Sequence, residues 1–281
     1  MTNTHQVQKE MNITRQILNM YLPYWPLFLL LLVASFIVAK IYLNYATPVY
    51  EATARIMIKD EKKGAQGSKA IEAFDVLSSK KIIENEIEVI RSRTLIDQVA
   101  KKLHLYAPVY QEQQFSKRPA YSTSPVSIQV ADAATIKETK KIPFTYNAQH
   151  SAVVIGQQEY PLNVWVSTPY GKLQFTPNKY ANNTANTAAE AAFFFSLVSP
   201  GDVTTSISNR LDVSASNKMS SIIDLTLRDE VPKRAEDILN ELVAAYNYEM
   251  VKDKSTLAVN TLEFLDERLA RVEHELDSVE K

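Results

Sequence analysis

The sequence predicts an α+β protein anchored in a membrane, with an N-terminal transmembrane helix, an α/β domain, a β-rich insert and a long C-terminal helix of coiled-coil character. Three observations predict this class. An apolar run near the start is long enough to cross a bilayer. The middle of the chain alternates apolar and polar residues in short segments. After Pro232 the chain contains neither Gly nor Pro, which favours one long helix.

Composition excludes several classes of protein. The chain has 281 residues, 46% hydrophobic and 22% charged, so it can bury a sizeable core. A formal net charge of -1 argues against a general nucleic-acid binder, which needs clustered Lys and Arg. The absence of Cys rules out disulfides and thiolate metal sites. Five glycines are too few for a fold built on glycine-rich phosphate loops.

The apolar run is YWPLFLLLLVASFIVAKIYLNYA, and we predict a transmembrane helix over residues 26–46. Trp and Tyr at both ends suit the headgroup boundaries, and a Lys within the run extends its ammonium outward. A cleaved signal peptide is disfavoured because 26 residues precede the run and bulky residues follow it. An uncleaved signal and a buried core helix remain alternatives. The predicted anchor residues are Trp25, Leu27, Phe28, Leu32, Phe36, Lys40, Tyr42 and Tyr45.

Residues 1–25 precede the anchor. Within them, NITRQILNMYLPYW has apolar residues at helical spacing, which predicts a short amphipathic helix on the membrane surface. A simple lead-in to the span explains the pattern equally well. The distribution of Lys and Arg around the run does not decide the orientation.

We predict an α/β domain from residues 47–104 and 211–230. PVYEATARIMIKD has the period-two pattern of a strand with one buried face, and SNRLDVSASN and SIIDLTLRD give two later strands. Between them, KKIIENEIEVIRSRTLIDQVAKKLHL predicts two helices that meet near Ser92–Thr94, where Thr94 and Asp97 resemble a capping box. Candidate residues for helix packing or for contacts between subunits are Ile83, Ile87 and Ile90.

Residues 105–210 form a predicted β-rich insert. Short alternating segments are separated by clusters of Pro, Gly, Asn and Ser, as in a series of hairpins. The predicted strands are VSIQV, IPFTY, AVVI, YPLNVWV and KLQFT. The earlier segment DEKKGAQGSKA is predicted to be a loop, because it is charged, contains glycine and lacks large apolar residues. Its glycines and Lys lack the spacing of a phosphate-binding loop.

Residues 231–281 form the predicted long helix. Apolar residues recur in two heptad series, which favours a coiled coil. An amphipathic helix packed on its own domain is the alternative. The repeat is still in phase at Val279, so we expect the helix to continue past Lys281 and interpret the sequence as a fragment. Candidate packing residues in this helix are Leu262, Leu265, Leu269, Val272 and Leu276.

The order of these parts resembles the polysaccharide co-polymerases, or Wzz-type chain-length determinants. It is most similar to the front part of the exopolysaccharide tyrosine autokinases, which carry such a domain. The segments that carry the resemblance cover most of residues 12–103 and 211–281. They are YWPLF, PVYEATARIMI, IENEIEVIRSRTLIDQVAKKLHL and IIDLTLRDEVPKRAEDILNELVAAYNYEM.

The resemblance implies a place and a function. Residues 1–25 would be cytoplasmic, and the bulk of residues 47–281 would be periplasmic, anchored by a single span in the bacterial inner membrane. Homo-oligomeric rings of such proteins govern the length or export of O-antigen, capsule or exopolysaccharide. The implied partners are further copies of the chain, a polysaccharide polymerase or exporter, and the glycan itself. The sequence departs from the family in its larger insert and in lacking a second span and a kinase part.

Intrinsic catalysis is not expected from these residues. The four His are scattered without metal-ligand spacing, and no carboxylate pair is singled out for acid–base chemistry. We therefore expect no cofactor, no metal and no catalytic residue within the chain. Two other classes remain open: a membrane-anchored sensor ectodomain and a periplasmic adaptor of an export system. The sensor would continue into signalling helices, and the adaptor would carry a lipoyl-like half-motif on each side of a helical hairpin.

Overall fold

A computed structural model describes residues 20–58, 81–112, 117–147, 149–181, 192–217 and 221–279. The chain divides into two units, Met1–Pro48 and Val49–Lys281. The predicted amphipathic helix before the anchor falls mainly before residue 20, and the predicted DEKKGAQGSKA loop lies within residues 59–80. Both therefore lie outside the described residues.

The first unit contains one long helix. A short 3-10 turn, Leu22–Tyr24, leads into α1, Trp25–Tyr45, and a Pro occupies its first turn. Pro is favoured there because the amide that it lacks would have no partner inside the helix. At 21 residues α1 is about 31 Å long, close to the thickness of a bilayer hydrocarbon core.

The second unit begins with β1, Tyr50–Met57, followed by α2 at residues 81–90 and α3, Arg93–Lys102. The predicted break between the two helices is confirmed, but the predicted capping box is wrong. Ser92 is the N-cap of α3, and its side chain accepts a hydrogen bond from the Leu95 amide at 3.3 Å. The Asp97 carboxylate instead accepts a hydrogen bond from the Tyr106 hydroxyl at 3.1 Å, so it does not reach back to the helix start.

Nine strands form most of the insert. They belong to a six-stranded sheet of order β3-β2-β10-β5-β6-β7 and a three-stranded sheet of order β4-β9-β8, and neighbouring strands pair antiparallel. Their bounds are β2 Val109–Glu112, β3 Lys117–Pro119, β4 Val126–Val130, β5 Thr139–Asn147, β6 Ala152–Ile155, β7 Gln158–Pro161, β8 Trp165–Thr168, β9 Gly171–Pro177 and β10 Phe193–Leu197.

The chain then completes the α/β core. Helix α4, Pro200–Ser208, leads to β11, Leu211–Ala215, and β12, Ile222–Asp229. These two strands form the antiparallel sheet β1-β12-β11, in which Ile56 pairs with Ile223 and Ala54 with Leu225. The buried face of β1 is therefore the alternating face that the sequence predicts. The last element is α5, Pro232–Val279, a helix of 48 residues.

Two hydrophobic cores stabilise the second unit. One joins β1, β11 and β12 to helices α2 to α5, and its fully buried side chains include Ile90, Ile96, Ile223 and Leu225. The other lies between the strands of the insert and includes Phe175 and Phe195. Each core is closed by apolar side chains from elements that are distant in sequence, which is where most of the folding free energy originates.

One predicted strand of the insert is wrong. YPLNVWV is read from the sequence as a single strand, but it contains the end of β7, a turn and the start of β8. Asn163 in this turn has a φ of 61°, a left-handed conformation that Asn tolerates better than most residues. The mixed α/β composition, the N-terminal apolar helix and the long final helix agree with the prediction.

Candidate functional site

Helix α1 carries the predicted anchor residues on an exposed surface. Its segment Trp25–Leu43 is long and apolar enough to cross a membrane by length and composition, and none of it is buried. This exposure distinguishes α1 from the core helix of a soluble protein. The predicted anchor side chains are exposed at Trp25, Leu27, Phe28, Leu32, Phe36, Lys40 and Tyr42, whereas the side chain of Tyr45 lies outside the described part.

The isoleucines of α2 face the interior of the same chain. Ile90 is completely buried, Ile83 is buried, and Ile87 packs against the same core. These three side chains therefore pack helices within one subunit. Any contact between subunits through this block has to use other residues, such as the exposed Val89.

Helix α5 changes character along its length. Its first part is buried through Ile238, Leu239, Leu242 and Tyr246, whereas every side chain from residue 251 to residue 272 is exposed. The exposed half carries the predicted heptad residues. The structure shows exposed side chains at Leu262, Leu265, Leu269 and Val272, while that of Leu276 lies outside the described part.

The exposed apolar stripe begins earlier than the sequence prediction placed it. Tyr248 and Val251 are each 68% exposed. They occupy the same two heptad positions, because Tyr248 precedes Leu262 and Val251 precedes Leu265 by two heptads. We call the residues Tyr248, Val251, Leu262, Leu265, Leu269 and Val272 the α5 stripe.

The start of α5 is fixed by a buried carboxylate. Asp229, at the end of β12, is inaccessible to solvent and accepts hydrogen bonds from Arg234 at 2.7 Å and from Arg210 at 2.5 Å. It also accepts one from the Val231 amide at 2.8 Å. Burial alone would raise the pKa of Asp229, but the hydrogen bonds and charges of these partners outweigh burial and hold the pKa below its usual value.

A second carboxylate on α5 binds the insert. Asp237 accepts hydrogen bonds from the Tyr121 hydroxyl at 2.8 Å and from the Tyr180 hydroxyl at 2.6 Å. Lys179 and Lys233 lie over the Tyr180 ring, 4.7 and 5.4 Å from its centroid. Burial, followed by the hydrogen bond to Asp237, raises the pKa of Tyr121, so the hydroxyl stays a donor at neutral pH. The contact joins the long helix directly to the insert.

These two clusters are absent from the sequence prediction. Asp229 is recognisable only as an acidic residue near a helix start, and Asp237, Tyr121 and Tyr180 carry no motif. Their partners come from different elements, so only the tertiary fold brings them together. Among the residues that the structure describes, no group of three or more His, Asp or Glu could hold a metal ion.

The comparisons with known proteins agree with the predicted resemblance. The family model of the Wzz chain length determinant protein matches residues 15–103. This match covers α1, β1, α2 and α3, which lie on both sides of the boundary between the two units.

Several bacterial tyrosine kinases are similar over most of the chain. The tyrosine-protein kinase ptk of Acinetobacter johnsonii is 22% identical over 280 residues, which cover 92% of this chain and 38% of the relative. A candidate tyrosine-protein kinase named EpsB, from Ralstonia nicotianae, is 25% identical over 271 residues, which cover 85% of this chain and 35% of the relative. A candidate tyrosine-protein kinase named AmsA, from Erwinia amylovora, is 22% identical over 252 residues, which cover 87% of this chain and 34% of the relative.

These matches confirm the resemblance to the front part of such kinases, but they cover only part of each relative. The chain spans 34 to 38% of the length of the curated relatives. The match is consistent with the front part of such kinases and supports a role in polysaccharide chain length or export. The family model covers the non-catalytic chain-length region.

Proposed function

We propose that this chain is a subunit of an inner-membrane polysaccharide co-polymerase, which regulates the chain length or export of a capsular or exopolysaccharide through a periplasmic homo-oligomer. The observation that carries the proposal is the chain-length-determinant match over residues 15–103, which includes the whole apolar helix α1. A polysaccharide polymerase or exporter, and the growing glycan, are the proposed partners.

We propose a separate role for each segment of the chain. Residues 26–46 anchor the subunit, with residues 1–25 in the cytoplasm. Residues 47–104 and 211–230 form the α/β domain, residues 105–210 form the insert, and residues 231–281 form the helix through which subunits associate. The exposed α5 stripe supports association, because apolar side chains at two heptad positions gain free energy when a second helix covers them.

Chemistry on the glycan is not part of the proposal. Among the described residues, the buried carboxylate of Asp229 is engaged by two arginines and the partly buried carboxylate of Asp237 by two tyrosines. We therefore propose that the assembly acts by its geometry and by weak contacts with the glycan. Any kinase activity of a longer parent protein would reside in residues beyond this chain.

Deletion of the gene in its native host tests the function. We expect a change in the modal length or the yield of the secreted polysaccharide, measured by gel electrophoresis and size-exclusion chromatography, and restoration by the wild-type gene. A host whose polysaccharide kept the same length distribution and yield after deletion would contradict the proposal.

The orientation has its own test, because the sequence contains no Cys. A Ser167→Cys variant carries a single thiol at an exposed position of β8. We expect a membrane-impermeant maleimide to label this thiol in intact spheroplasts. Labelling only after lysis would place the insert in the cytoplasm and exclude the periplasmic assignment.

A further inference from the structure

A cavity of about 550 Å³ lies between the α/β core and the insert. Its volume is typical of a small-molecule site, in the range of about 300–1,000 Å³. Both cores contribute to its walls. The apolar part of the lining consists mainly of small and aliphatic side chains, with the rings of Tyr110 and Tyr121 beside them. The aliphatic residues include Ala107, Val126, Ile128, Val203, Ile207 and Ile238.

The polar part of the lining contains the Asp229 cluster. Arg210 uses Nε for the Ser206 carbonyl and Nη1 for Asp229. Arg234 uses Nε and Nη2 for Asp229. Within the described ranges, Nη2 of Arg210 and Nη1 of Arg234 form no hydrogen bond. Two oriented guanidinium groups therefore retain donors for an acceptor from outside.

The charge of this cluster favours an anion. Asp229 is shared by two arginines, so the three groups together carry a net charge of +1. Arg228, which also lines the cavity, is paired with Glu51 at 3.1 Å. The remaining carboxylates of the lining, Asp202 and Glu230, are exposed, so water weakens their charge. Glu230 still acts on Tyr110 of the same wall, so the preference for an anion rests on the spare donors of the two arginines.

The two kinds of wall restrict the class of ligand. A sugar ring would place some hydroxyl groups against aliphatic side chains that offer no hydrogen bond, which costs free energy. Because Tyr121, Ser127 and Asn178 also line the cavity, a sugar acid is included among the probes. A purely apolar molecule would leave the arginine donors unpaired. A molecule with an alkyl chain and an oxyanion satisfies both walls, since guanidinium groups bind carboxylate and phosphate with matched geometry.

We infer that the cavity binds a small amphiphile, with its alkyl chain on the aliphatic wall and a phosphate or carboxylate against Arg210 and Arg234. The inference does not depend on the proposed function. It concerns a site in the second unit that neither the family match nor the names of the relatives assign.

A thiol-protection experiment on the full chain in nanodiscs of zwitterionic lipid tests the site. Ser206→Cys places the single thiol of the chain at the cavity wall, beside Arg210. The alkylation rate is measured against the free concentration of inorganic phosphate, butyl phosphate, hexyl phosphate, hexanoate, hexanol and glucuronate. Ser167→Cys on β8, which does not line the cavity, is the matched control.

We expect hexyl phosphate and hexanoate to slow alkylation of Ser206→Cys and to leave Ser167→Cys unchanged. Hexyl phosphate should act at a concentration roughly fifteenfold below that of butyl phosphate, because each of its two added methylenes contributes about a fourfold gain in affinity. Protection by only one of the two oxyanions would identify the head group. Protection by hexanol at the same concentration would overturn the role of the arginines.

Two further substitutions, each combined with Ser206→Cys, test the polar wall and the aliphatic wall separately. Arg210→Lys keeps a cation beside Asp229 and removes the spare guanidinium donors, so we expect about tenfold weaker protection. Ala107→Leu fills the aliphatic wall without changing charge, so we expect the advantage of hexyl over butyl phosphate to disappear. Equal protection by inorganic phosphate and hexyl phosphate in the parent would overturn the amphiphile assignment, as would equal protection by glucuronate. Absence of protection by every probe would overturn the site.

Discussion

Tyr246 of α5 donates a hydrogen bond to Glu86 of α2, with 2.9 Å between the hydroxyl and carboxylate oxygens. Tyr246 is 2% exposed, whereas Tyr248, two residues later, is 68% exposed. The sequence assigns both tyrosines to helix faces, and the structure places the two faces in different surroundings. Burial, followed by the hydrogen bond with Glu86, raises the pKa of Tyr246.

Tyr246→Phe removes this hydrogen bond and leaves the ring packing intact. We expect a loss of roughly 1–2 kcal/mol in the free energy of unfolding, because the bond is made to a carboxylate. Urea denaturation followed by circular dichroism measures the change. Tyr248→Phe is the matched control and should be neutral. Equal effects of the two variants would show that the Glu86 contact contributes nothing.

Asp229→Asn is expected to be the most destabilising single change among those considered. It leaves two partly buried arginines without their common anion, and breaking such a pair costs about 3–5 kcal/mol. The unfolding midpoint in urea measures the loss. Asp224→Asn on the same strand is the control, since its partner Arg55 is mostly exposed and the pair contributes little.

The contribution of Asp229 depends on pH in a defined direction. Its folded-state pKa is depressed below the unfolded value of about 3.9, so the stabilisation is fully present above that pH. It is lost as the pH falls through the folded-state pKa. The stability difference between wild type and Asp229→Asn should therefore be constant between pH 5 and 7 and shrink below about pH 4. A difference that persisted unchanged at pH 2 would contradict this assignment.

The Asp237 cluster predicts a coupled pair of tyrosines. Tyr121→Phe and Tyr180→Phe each remove a hydrogen bond to one carboxylate, at an expected cost of roughly 1–2 kcal/mol. In the double variant the effects should not add, because both hydroxyls share one acceptor. A double-mutant cycle in urea measures the coupling. Additive losses would show that the two contacts act independently.

The α5 stripe predicts where self-association is sensitive. Leu262→Glu and Leu269→Glu place charges on the heptad face and should shift the full chain in detergent toward the monomer in sedimentation-velocity experiments. Leu257→Glu and Phe264→Glu change equally exposed residues on another face of the helix and are the controls. If both pairs had the same effect, association would not follow the heptad face.

The success of the sequence predictions depends on how local their signals are. Strands β4 and β6 coincide with the predicted VSIQV and AVVI, because turn residues bound them closely. Strand β10 was not predicted, since FFFSL is buried on both faces and shows no alternation. Helix α4 was also missed, although Ser199 as N-cap followed by Pro200 is a helix-start signal.

The candidate site was predictable only in part. The apolar helix and the heptad residues carry periodic signals along a single element, so they could be read from the sequence. The Asp229 and Asp237 clusters join residues up to 116 positions apart in the sequence. No local sequence pattern indicates which tyrosine or arginine binds which carboxylate. The cavity is likewise a product of how the insert meets the α/β core.

The continuity of α5 has a geometric consequence. A helix of 48 residues is roughly 72 Å long, and each residue turns it by about 100°. Tyr246 and Asp237 fix the rotation of the buried half of α5 about its axis. Because the helix is continuous, they also fix the direction in which the exposed stripe faces several turns away. A shift of one residue in the packing of α5 against the core would therefore rotate the entire stripe by about 100° around the helix axis.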